Sequence, residues 1–281
     1  MAETTFLENV LRRDRRVVIA ALSVIIVAGW AYVLSGAGMG MSAFDMTSLT
    51  RALGPSHDGT ADMAAMATPA AWNAGYAVLM ATMWWVMMIA MMLPSAAPMI
   101  LLHAKVDRRQ HLREGEAGGV LSTGTFLLGY LLVWGLFSVA AAGLQWAFEG
   151  AGVLSPMTLN STNAVFAGFI LLFAGIYQLT PIKRACLRHC RGPISFLSRH
   201  WRPGARGAFV MGLHHGAYCV GCCWGLMAIL FFGGVMNLYW VIGLALIVLM
   251  EKVMPLGARL SIVTGGLLVM WSASIFYRAV A

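Results

Sequence analysis

Long apolar runs constrain this chain more than any other feature. They fall at roughly 17–35, 74–102, 122–148, 164–179, 208–232, 237–250 and 260–277. A helix of about 20 apolar residues crosses the ~30 Å hydrocarbon core of a bilayer. Inside lipid every backbone N–H and C=O must be satisfied within the protein, which leaves only helices or a closed barrel. No run alternates with the two-residue period of a barrel strand. The pattern predicts an all-α fold, a polytopic transmembrane bundle of about seven helices. Composition agrees: 11% of residues are charged, against about 25% in soluble domains. The first run is too long for a signal-peptide core and lacks an A-x-A site, so it is read as a helix.

The net charge of +8 is topological rather than a nucleic-acid signature. With the N-terminus inside, the inner segments hold 17 of the 19 Lys and Arg residues, and only Arg51 and Arg278 fall outside. This is the positive-inside pattern. It predicts a cytoplasmic basic arm over 1–16 and a single membrane domain over 17–281, with an outer, Met-containing loop at about 36–73. Lipid is the first expected partner, and nucleic acid is not one.

The most chemically loaded stretch is the fifth run. In a helix His215, Cys219, Cys222 and Cys223 have i, i+4, i+7, i+8 spacing and share one face, which Met227 continues. Soft thiolate and thioether donors with imidazole suit Cu(I), with zinc as the other ion for such a set. His214 points about 100° away and is the weaker ligand. The bland alternative is that free Cys packs as a small hydrophobe. Five Cys in this arrangement read as ligands or redox thiols, not as a disulfide framework.

The second run is rich in methionine. Met80, Met83, Met87 and Met91 form one stripe, and Met88, Met92 and Met99 a neighbouring one. At ~1.5 Å rise per residue Met87 and Met88 lie level with Cys219–Cys223, so the thioethers can face the thiols if the two helices are neighbours. Flexible core filling is the competing account. Pro94 and Pro98 are expected to kink this helix. On the inner side Cys186, His189 and Cys190 form a second candidate site, with Arg184, Arg188 and Arg191 beside the thiols. In the outer loop Met39, Met41, Met63 and Met66, with Met46, form a weak collection site for Cu(I) or, equally, an interfacial apolar segment.

Three blocks carry a resemblance. W-x2-M-x2-A-M-M-x-P at 84–94, Y-Q-L-T-P-I-K-x2-C-L-x2-C-R-x-P at 177–193 and C-x-G-C-C-W-x-L-M at 219–227 resemble a family of bacterial integral membrane proteins described as predicted metal-binding; Glu251-Lys252 also fits. The resemblance spans roughly 70–260. It implies a multi-pass protein of the bacterial inner membrane with a metal site on these blocks, and implies no reaction.

The expectation is a membrane protein that binds a soft metal ion, Cu(I), for transport or for delivery to a membrane metalloenzyme, in exchange with a soluble metallochaperone. Charged residues are absent from the middle of the runs, with Glu149 and Glu251 only at their ends, and no nucleotide-binding loop is present. Enzymatic activity is not expected. The alternatives are a thiol–disulfide oxidoreductase using Cys219 and Cys222, a haem or quinone protein using His214 and His215, and an accessory scaffold subunit.

Overall fold

Each of the seven apolar runs forms a helix in the computed structural model, which describes residues 2–52, 72–114, 120–156 and 159–280. Met63 and Met66 lie outside the described residues. The main helices are α1 (Ala2–Leu34), α3 (Ala74–Glu114), α4 (Val120–Gly150), α5 (Ala164–Leu179), α8 (Gly204–Met227), α10 (Leu238–Val253) and α11 (Gly257–Val280). Among the described residues, five spans are long and apolar enough to cross a membrane, and a sixth is added if α5 and the following α6 (Pro181–Arg191) are one bent span. The expected sixth crossing, α10, has only 16 residues, about 24 Å at 1.5 Å per residue.

Helix direction alternates as the charge pattern anticipates. Gly29 lies against Ala90 and Gly38 against Leu79, so α1 and α3 are antiparallel. The bonds Trp84–Gln145 and Asp107–Ser122 make α3 antiparallel to α4. The α4 and α8 helices run parallel, because Thr125 bonds the Ala205 carbonyl while Gly216 meets Val133. Their closeness depends on glycine: a Cβ on Gly212 would overlap the Phe126 carbonyl, and one on Gly129 the Phe209 carbonyl. Small residues of this kind let membrane helices pack backbone to backbone. Gly175 plays the same part between α5 and α11, which are antiparallel.

Three expectations for the connections are corrected. The outer loop contains a helix, α2 (Ala43–Ala52), started by a capping box in which Ser42 N and Oγ donate to Asp45 Oδ2 and Asp45 N donates back to Ser42 Oγ. Such reciprocal caps satisfy donors that a helix start leaves open. The charged stretch after residue 102 is not a loop but the continuation of α3 to Glu114, through Pro94 and Pro98. The basic segment after residue 181 is also helical, as α6 and α7 (Pro193–His200).

Thr180 explains the bend between α5 and α6. Its backbone N–H bonds the Tyr177 carbonyl to close α5, and its hydroxyl accepts from Lys183 N to open α6, with Pro181 at the first helical position. Proline fits there because that N–H has no helical partner. The two axes diverge by 63°. After α8, the short α9 (Leu230–Gly233) and Gly234 at φ 97° turn the chain into α10, whose first turn is capped by Asn237.

Gly212→Leu should therefore push α4 and α8 apart, destabilising by about 1–3 kcal/mol or more. A thermal melt in detergent should show a clear loss, while Gly143→Ala, with nothing within 4 Å of its added Cβ, should melt as the wild type does.

Candidate metal centre

The five cysteines are unpaired thiols, and the bundle draws them together from two places in the chain. The expected face of α8 is the buried one: His215, Cys219, Cys222, Cys223 and Met227 are all inside, and His214 is exposed. The α6 helix packs across α8, bringing Cys190 Sγ to 3.8 Å from Cys222 Sγ. Cys186 lies alongside, its sulfur facing Gly221. The inner pair and the α8 thiols, read as two sites from sequence, thus form one neighbourhood. Gly221 helps make this possible, since a Cβ there would come within 2.9 Å of Cys186 Sγ.

The methionines are inside as well. Met80, Met83, Met87, Met88, Met91, Met92 and Met99 are all buried, as both a thioether surface and flexible core filling require. Only some approach the thiols. Met92 Sδ sits 3.8 Å from Cys223 Sγ, whereas Met80 Sδ accepts from Gln145 Nε2 at 3.4 Å. The α3 and α8 backbones are not closely packed neighbours. Instead α3 packs on α1, α4 and α10 while α8 packs on α4 and α6, and long side chains meet across the gap.

Cys219 is engaged differently. Its sulfur lies 2.9 Å from Lys252 Nζ and 3.2 Å from Tyr130 Oη. Lys252 Nζ also donates to Ser95 Oγ at 3.1 Å. The sequence expectation of a bundle interior without charge is therefore corrected. The end of α10 lies within the protein: Lys252 is buried beside the thiols, and Glu251 is buried against Lys183, with Lys183 Nζ 2.7 Å from Glu251 Oε2. Gln178 donates to the other carboxylate oxygen at 2.9 Å. Two of the cations counted as inner-loop charge are thus interior groups.

The histidines are less involved. His215 sits among the rings of Phe126, Tyr130 and Phe196, and its Nδ1 has no partner among the described residues. His189 stacks on Tyr218 with ring centroids 4.2 Å apart, and its Nδ1 donates to the Ala185 carbonyl. In the outer segment Met39 is half-buried, Met41 exposed and Met46 buried, and none joins the thiols.

Among the described residues, no three His, Cys, Asp or Glu side chains converge in an arrangement that could hold a metal ion. What converges is a pair of thiols, Cys190 with Cys222, and a thiol–thioether pair, Cys223 with Met92, at consecutive positions of α8. Two-sulfur pairs are a donor set for a soft monovalent ion rather than for a hard cation.

Fold and site together define an all-helical protein of long apolar helices with a buried, sulfur-rich interior. The chain belongs to the PpoB2 family, described as a copper chaperone, whose model matches residues 81–275. The matched segment takes in α10 and the whole of the sulfur neighbourhood and leaves out the outer methionines. No curated protein and no solved structure matches the chain.

Lys252, Tyr130, Ser95 and the Lys183–Glu251 pair were not legible as interior groups. The one signal was two opposite charges closing an apolar helix beside a block of family resemblance. Removing one member of a buried ion pair typically destabilises by about 3–5 kcal/mol, more than replacing both. Glu251→Gln should thus lower the thermal midpoint in detergent sharply, and Lys183→Met with Glu251→Leu should recover most of the loss.

Proposed function

We propose that this protein carries Cu(I) within the membrane, holding it between Cys190, Cys222, Cys223 and Met92 and passing it to a membrane-bound acceptor. The observation that carries the reading is the pair of 3.8 Å sulfur–sulfur contacts, Cys222 to Cys190 and Cys223 to Met92, inside a member of a copper chaperone family. The ion is cargo, and soft sulfur donors exchange it by substitution of one ligand for another. Met83, Met87, Met88, Met91 and Met227 extend the thioether surface around it, and Cys186 extends the thiol surface. His215 and His189 are adjacent rather than ligating in this reading. The protein spans the bacterial inner membrane with its N-terminus in the cytoplasm and α10 as a short sixth crossing of seven. Alternating helix directions and the inner placement of positive charge support this topology.

Lys252 has a defined part. Its ammonium places one positive charge among the thiols, so a monovalent ion is balanced by fewer thiolates than a divalent one in the same interior. Lys252→Met should raise zinc retention relative to copper on the order of tenfold, about 1.4 kcal/mol, and Lys252→Arg should not. Competition of Cu(I) and Zn(II) against chromophoric chelators reads this ratio.

Protein purified in detergent under reducing, copper-supplemented conditions should hold close to one copper per chain. Cys222→Ser with Cys223→Ser should lose it while eluting from size exclusion as the wild type does. Copper-free wild type under these conditions would sink the proposal. The Cys190–Cys222 approach also favours a second reading, a redox-active thiol pair, displaced from the Cys219 and Cys222 pairing expected from sequence. A Cys190–Cys222 disulfide trapped by alkylation after quinone treatment, with no copper bound, would support that reading instead.

A further inference from the structure

The outer face of α6 has no part in the sulfur chemistry, yet it is built around three arginines. Arg184, Arg188 and Arg191 follow i, i+4, i+7 spacing and line one side of a cavity of about 540 Å³. Pro255, from the turn between α10 and α11, and Ala258, in the first turn of α11, form the facing wall. Arg191 fixes that wall by donating through Nη2 to the Met254 and Pro255 carbonyls, both at 2.7 Å. Arg184 and Arg188 are exposed, and no side-chain hydrogen bond or ion pair ties either guanidinium to another described residue. Ile182, Ile194, Val253 and Leu256, each within two residues of one that lines the cavity, are more than half exposed and apolar.

We infer that this cavity seats the phosphate of an anionic phospholipid headgroup. The guanidinium plane matches phosphate oxygens in a two-point contact that an ammonium cannot make. Basic pockets between helices on the inner side of a membrane protein are suited to anionic headgroups. The exposed Ile and Val side chains beside the arginines settle the choice of lipid over a soluble acidic partner, because acyl chains need an apolar flank next to the phosphate site. The 63° bend at Thr180 turns α6 away from the α5 axis, where one face can meet headgroups while the other carries Cys186 and Cys190.

The test uses full-length protein in detergent micelles doped with phosphatidylglycerol, with phosphatidylcholine, or with millimolar inorganic phosphate. Phosphatidylglycerol should raise the melting temperature by several degrees and phosphatidylcholine should not. Arg184→Gln with Arg188→Gln should abolish most of that shift, and Arg184→Lys with Arg188→Lys should recover only part of it. A wild-type elution volume and a wild-type melting temperature in micelles without added lipid would show that the Gln variant is folded. Equal shifts with both lipids, or an undiminished shift in the Gln variant, would overturn the assignment. So would inorganic phosphate or an acidic peptide reproducing the whole shift. None of these outcomes depends on whether copper is the cargo.

Discussion

An ammonium in an apolar interior must find partners, and the contacts of Lys252 organise the centre of this protein. Its Nζ reaches Cys219 on α8 and Ser95 on α3, while Tyr130 on α4 closes on the same sulfur. One side chain at the end of α10 thereby gathers four helices around the thiols. Its neighbour Glu251 points the other way, onto Lys183 of α6 and Gln178 of α5. Desolvating such groups is unfavourable unless each is paired, so the end of α10 can sit in only a narrow range of positions. The sulfur pairs inherit that precision, since α6 and α3 are both held by it.

The long helices were legible because apolar length is a local property. The buried face of α8 was legible for a similar reason: five positions at helical spacing need no knowledge of the neighbours. What depended on neighbours was not. Cys186 and Cys190 read as a separate inner site because they are about thirty residues from Cys219–Cys223, and only the turn at Thr180 folds α6 back across α8. Met87 and Met88 were read as level with Cys219–Cys223, whereas it is Met92, about one turn further along α3, that meets Cys223. His215 matched the thiols in spacing and yet lies in an aromatic slot. Lys252 was counted with the loop charges, because a cation at a helix end has the same local signature whether the end is wet or buried. The α2 helix carried a visible signal in Ser42-x-x-Asp45 that the small, polar composition of the segment masked.

The family assignment and the geometry bear on different questions. Membership of a copper chaperone family speaks to the ion. The arrangement of sulfurs speaks to geometry: two pairs start from consecutive positions of one helix, and each is completed by a different neighbouring helix.

The two pairs are not mechanically equal. Cys223 meets Met92, and both sit on long helices pinned along their length by α4. Cys190 meets Cys222 from an eleven-residue helix that begins at the Thr180 joint and leaves α5 at 63°. The first pair thus hangs on the packing of long helices, whereas the second hangs on a short helix fastened at one end by Thr180 and at the other by Arg191.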